Sequence, residues 1–116
     1  MVQIHRSNGL WYSAEYSTFS ISDEAGKYRL MVDGYSGDAG NALMGAQTYF
    51  VGNGMMFTTS DSDNDYWAHG NCGNQRGGWW YQHCSTSELN QDTDGRWKVF
   101  GTHLDVRHSH MLVKLN

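Results

Sequence analysis

Asp61-Ser62-Asp63-Asn64-Asp65 is the stretch of this chain best equipped for chemistry. Three carboxylates at alternate positions repel one another unless something neutralises them, and a hard divalent cation with oxygen ligands does so. An EF-hand loop uses the same alternation. Here Tyr66 stands where that loop needs a sharp-turn Gly, and Cys72 where it needs a bidentate Glu, so an EF-hand is excluded. A solvated acidic turn is the alternative reading. Magnesium catalysis on a phosphate substrate is disfavoured, because no basic residues cluster near the loop.

Cys72 and Cys84 lie twelve positions apart. A zinc site would want further Cys or His at metal-ligand spacing, and a redox pair would want C-x-x-C. A disulfide needs only these two residues. It would contribute on the order of 3 kcal/mol by restricting the unfolded chain and would imply an oxidising compartment. His103, His108 and His110 form a second group, and His108-x-His110 on a strand would face one side, where zinc could bind. Met111, Val113 and Leu115 alternate toward the other side, which predicts a buried face there and leaves both histidines as wet surface residues. No Ser-His-Asp, Cys-His or paired-carboxylate arrangement stands out, so the chain is read as not an enzyme.

These groups need elements to position them. Residues 10–17 alternate large with small or polar side chains, as a half-buried strand does, and residues 28–32 predict a second strand beyond a turn at 23–26. Residues 34–40 are too rich in Gly for a regular element. They are not a phosphate cradle either, since no Gly-Lys-Ser/Thr follows. A short helix is expected over 41–47 and a short strand over 55–57. From 61 to about 95 only loops are expected, gathered around Trp79-Trp80-Tyr81, with core packing for at least one of the two tryptophans. A strand over 111–115 returns to pair with the early ones.

The bulk numbers agree with one small domain. Aromatics make up 14% of the 116 residues, with five Trp and seven Tyr, and there are fourteen Gly and no Pro. Such a composition favours a loop-rich α+β or β domain pinned by aromatic clusters. The net charge of −4, with eight scattered Lys and Arg, argues against nucleic acid as partner. No apolar run is long enough to insert in a membrane. The opening Met1-Val2-Gln3-Ile4-His5-Arg6 lacks the apolar core of a signal peptide, so a secretion signal would lie outside this sequence or have been removed.

Taken together, several ordered strings resemble the fibrinogen C-terminal domain family of fibrinogen chains, ficolins, tachylectins, angiopoietins and tenascins. They are Ala14-Glu15-Tyr16-Ser17-Thr18-Phe19, then Tyr28-Arg29-Leu30, then Gly34-Tyr35-Ser36-Gly37-Asp38-Ala39-Gly40-Asn41-Ala42-Leu43. Phe57-Thr58-Thr59 with the acidic loop, Asn71-Cys72, Gly77-Gly78-Trp79-Trp80-Tyr81-Gln82-His83-Cys84, Leu89-Asn90 and Met111-Leu112-Val113-Lys114 complete the match. The resemblance implies a secreted, extracellular recognition module without catalytic activity. Its fold would be α+β, an antiparallel sheet with short helices over about 1–57, calcium and ligand loops over about 58–110, and a returning strand over 111–115.

By position, the resemblance makes Asp63 and Asp65 calcium ligands with Asp61 supporting the loop. Backbone carbonyls near Trp67 and His69 would complete the site, although one extra residue separates Asp65 from Cys72 here. It also implies a Cys72–Cys84 disulfide, a cis peptide before Cys84 as in several members, and a ligand pocket lined by Tyr81, His83, Cys84 and His103. Departures fall on that pocket. Ser85 replaces a common His, Gln75 lies near the place of a pocket aromatic, Asn90-Gln91 replaces Asn-Gly, and Gly95-Arg96-Trp97 shortens a longer Gly-Ile-x-Trp region. The family's domain is about twice this length. The expected ligands are acetylated glycans or, alternatively, a protein, with room for an oligomer.

Overall fold

The computed structural model describes residues 1–44, 51–85, 87–90, 95–99 and 102–115. Its largest layer is a four-stranded antiparallel sheet of β1 (Val2–His5), β2 (Trp11–Ile21), β3 (Leu30–Gly37) and β9 (His108–Met111), in the order β3-β2-β1-β9. Alternation decides its faces. Val2, Ile4, Ala14, Leu30 and Val32 point into the core, while Glu15, Met31 and Asp33 face out. A two-stranded sheet pairs β4 (Phe57–Thr58) with β5 (Trp79–Trp80), and a three-stranded sheet joins β6 (Ser87–Glu88), β7 (Gly95–Val99) and β8 (Thr102–Val106). Helix α1 (Cys72–Arg76) is the one α-helix among the described residues.

Aromatic side chains replace the aliphatic bulk this chain lacks. Trp79, Trp80 and Trp97 are all buried, and each indole N–H finds an acceptor, as buried Trp requires. Trp79 donates to Ser87 Oγ at 3.2 Å, Trp80 to the Tyr28 carbonyl at 2.8 Å, and Trp97 to the Ala39 carbonyl at 3.1 Å. The first bond joins the two smaller sheets and the other two tie those sheets to the segments flanking β3, so they fix layers as well as fill space. Tyr16 adds a fourth tie: its hydroxyl donates to Asn41 Oδ1 at 2.9 Å, and burial pushes the phenol well above its ordinary pKa.

Several sequence expectations need correction. The glycine-rich stretch is not all loop: β3 runs through Gly34 to Gly37. Gly34 has φ +70 and a Cβ there would sit 2.9 Å from Ser17 Cβ, so only glycine lets the two strands approach. The opening residues form β1, which the absence of a leader motif had not suggested. The returning strand is β9, ending at Met111. Met111, Val113 and Leu115 are exposed, against the expected buried face, because β9 buries no side chain and the residues beyond it leave the sheet. Of the expected helix at 41–47, residues 42–44 form a turn and 45–47 lie outside the described residues.

Candidate functional site

The acidic loop leaves β4 as a tight turn. Thr59 and Ser62 exchange backbone hydrogen bonds at 3.0 and 3.2 Å, and Thr59 Oγ1 donates to Asp61 Oδ1 at 2.6 Å. That bond holds the Asp61 carboxyl below its usual range. Asn64 clamps the turn to β4: its backbone N–H donates to Thr58 Oγ1 at 3.0 Å and its amide to the Phe57 carbonyl at 2.9 Å. Thr58 is fully buried, so the loop is anchored in the core. Asn64 as a loop anchor was not read from the sequence, where it stood only between two carboxylates.

Asp65 ties the loop to the disulfide. Its Oδ1 accepts the Trp67 N–H at 2.9 Å and its Oδ2 accepts the Cys72 N–H at 2.8 Å, while its own N–H donates to Asp63 Oδ1 at 3.3 Å. Partial burial raises the Asp65 carboxyl above its ordinary value, the two backbone N–H groups oppose that, and the neighbouring Asp63 carboxylate raises it further. Each Asp65 oxygen keeps a lone pair beyond its backbone bond. Among the described residues no group of three or more His, Cys, Asp or Glu could hold a metal ion, so a cation here would draw on Asp63, Asp65, backbone oxygens and water. Trp67 and His69 occupy the next turn, where the Gly70 N–H reaches the Trp67 carbonyl at 3.4 Å. Asp61 is engaged by Thr59.

Cys72 opens α1, which Asn71 caps by accepting the Gly73 N–H at 2.8 Å. A Cβ on Gly73 would meet the Thr59 carbonyl carbon at 2.6 Å, so α1 lies directly against the turn before the acidic loop. Cys72 and Cys84 form a disulfide with Cα atoms 5.4 Å apart. The described peptide bonds are all trans, including the one before Cys84, where the resemblance implied cis. Cys84 instead takes φ 61, a region side-chain-bearing residues seldom adopt. Around it the Gln82 N–H donates to the Cys84 carbonyl at 3.0 Å, and the Tyr66 N–H donates to the Gln82 carbonyl at 2.7 Å.

The expected pocket residues therefore divide. His83 is exposed, and its ring lies 5.8 Å from that of Trp67. Cys84 is 7% exposed and Tyr81 0%. The Tyr81 hydroxyl donates toward the Gly77 carbonyl at 2.7 Å, with the Arg76 carbonyl at 3.2 Å, so this ring supports the loops from beneath and presents no face to a ligand. That corrects its expected place on the pocket wall. His103 lies in β8, and its side chain is outside the described residues, as is that of Gln75. The Trp67 ring, expected to matter only through its carbonyl, is the aromatic that reaches His83; sixteen positions separate the two, and no sequence signal joined them.

The sequence profile of the C-terminal globular domain of fibrinogen beta and gamma chains matches residues 1–107. The chain belongs to the fibrinogen C-terminal domain family. It is 39% identical over 116 residues to the fibrinogen beta chain of Gallus gallus, covering 89% of this chain and 24% of that one. A techylectin-like protein of Phoneutria nigriventer is 40% identical over 78 residues, covering 66% of this chain and 32% of the relative. Among solved structures, the fibrinogen-like globe domain of human ANGPTL6 superposes with a TM-score of 0.76 at 32% identity, over 93% of this chain and 52% of that one. A lamprey fibrin D-dimer complexed with the peptide Gly-His-Arg-Pro-amide gives 0.69 at 32% identity, over 86% of this chain and 32% of that one. This fibrinogen-type domain thus spans about half of the solved globe domain and a third or less of the curated relatives. Its antiparallel sheets are those of the globe fold, and no helix among the described residues is long and apolar enough to cross a membrane.

Proposed function

We propose that this domain is a secreted, non-enzymatic recognition module whose acidic loop takes calcium at Asp63 and Asp65, and whose ligand surface lies at the exposed His83, beside the half-buried Trp67 and over the buried Cys84. The observation that carries this reading is the double engagement of Asp65, which binds the N–H groups of both Trp67 and Cys72. One carboxylate thereby links the cation loop to the ring beside His83 and to the disulfide beneath it. Neutralising that carboxylate pair stabilises the loop that carries the ligand surface, so ion and ligand reinforce each other by the same factor in both directions.

Acetylated carbohydrates are the proposed ligands, supported by the techylectin-like relative and by the exposed His83 imidazole beside the half-buried Trp67 ring, a pair suited to a sugar ring and its amide. Single-site binding is weak and becomes useful through several copies. A peptide is the second reading, favoured by the peptide complex of the lamprey neighbour and by the burial of Tyr81, which removes one aromatic from the sugar surface. Retention on an N-acetylated sugar resin, with calcium and with chelator, tests the choice. Calcium-dependent retention lost in Trp67→Ala supports the lectin reading. Retention displaced only by Gly-His-Arg-Pro-amide supports the peptide, and retention indifferent to calcium contradicts both.

A further inference from the structure

On the reading that places a ligand at His83, we propose that Gly70 is a positioning residue for that site. Its missing side chain gives the Trp67 indole the seat from which the ring backs the imidazole. A Cβ built on Gly70 would lie 2.8 Å from Trp67 Cη2, 2.8 Å from Cζ3 and 2.9 Å from Cζ2. Nearly equal distances to three consecutive ring atoms put that point over the face of the six-membered ring, because a point beyond the edge would be clearly nearest the middle atom. The Gly70 backbone therefore covers one face of the indole. Gly70 is not among the glycines with positive φ, so its backbone would accept another residue. What asks for glycine here is the ring.

The seat lies where the acidic loop meets the His83 segment. Asp65 accepts the N–H groups of Trp67 and Cys72, which closes the chain into a short loop that contains Gly70. The Tyr66 N–H donates to the Gln82 carbonyl at 2.7 Å, so the residues just before Trp67 and His83 are tied together. From its seat the half-buried indole reaches the exposed imidazole, with ring centroids 5.8 Å apart and planes inclined by 46°. Non-bonded carbons rest about 3.5–4.0 Å apart, so a methyl group on Gly70 would push the indole away by roughly an ångström. A ligand at His83 would then lose the ring behind the imidazole. A glycine that served only the packing of the loop would alter stability without moving His83, so the imidazole is the group to watch.

Proton spectra of the protein with calcium chelated and no ligand present test this role. The wild type should show cross-relaxation between the Trp67 indole and His83 imidazole protons. Gly70→Ala should abolish it and shift the imidazole resonances. In a Trp67→Ala background, adding Gly70→Ala should leave those resonances unmoved, because Gly70 acts through the ring. On an N-acetylated sugar resin, Gly70→Ala should lower affinity at least about twofold, the low end of coupling between residues in contact. A cross-peak that persists in Gly70→Ala, or an imidazole that still moves once Trp67 is gone, would overturn the proposal. So would unchanged affinity for a resin that retains the wild type. If Trp67→Ala does not fold, loss or persistence of the cross-peak decides. The spectra need no sugar, so a wild type that ignores the resin contradicts the sugar reading while they still decide the role of Gly70.

Discussion

Asp65 and Asp63 sit side by side, one held by two backbone N–H groups and the other accepting from its neighbour's N–H. Replacing Asp63 by Asn keeps an acceptor oxygen and removes one charge. In chelator, Asp63→Asn should therefore melt at or about 1–3 °C above the wild type, a small gain because the pair is largely solvent-screened. With calcium present the order should reverse, and a thermal scan under both conditions reads it. Asp105 gives a pH prediction. Hydrogen bonds from the Ser7 hydroxyl and N–H, then from Arg6, hold its carboxyl far below the ordinary 3.8. A lowered folded-state value stabilises above the unfolded value and loses that contribution as pH falls through the folded one. Asp105→Asn should thus lower the melting temperature at pH 7, with the gap closing progressively below pH 3.8.

Among the elements, α1 is five residues long and could not persist alone. It is fixed by its Asn71 cap, the disulfide, and Arg76, whose Nη1 lies 2.9 Å from Glu88 Oε1. Glu88 is fully buried, so replacing Arg76 takes an opposing charge away from a carboxylate in the core. Arg76→Met should cost about 3 kcal/mol, roughly 10 °C in melting temperature, whereas Arg76→Met with Glu88→Leu should recover most of that loss. The disulfide was legible from the two cysteines, but the ion pair was not: Arg76 and Glu88 are twelve positions apart in a stretch read as loops. β2 and the turn after it were legible, because alternation and turn chemistry are local signals. β1 and β9 were harder, since each is four residues long and acquires its strand character from the partner beside it. Burial of Tyr81 was beyond periodicity too, as Trp79, Trp80 and Tyr81 are consecutive and all three point into packed surroundings.

At the scale of the whole molecule, the family was legible because its motifs are ordered along the chain, while the Trp67–His83 contact was not, because it joins loops distant in sequence. The domain's acidic loops bring the Trp67 and His83 rings together. Its disulfide closes the loop side. Alkylation of the native protein should leave Cys72 and Cys84 unlabelled, and labelling of both in oxidised material would remove that support. The most direct test of the central claim is an amide ¹H–¹⁵N spectrum titrated first with calcium and then with an N-acetylated sugar. Calcium should shift Asp63, Asp65, Trp67 and Cys72, with a dissociation constant of about 10⁻⁴–10⁻³ M for a site with two carboxylates. Sugar should then shift His83 and the Trp67 indole N–H. A spectrum in which calcium leaves Asp65, Trp67 and Cys72 unmoved would contradict the account.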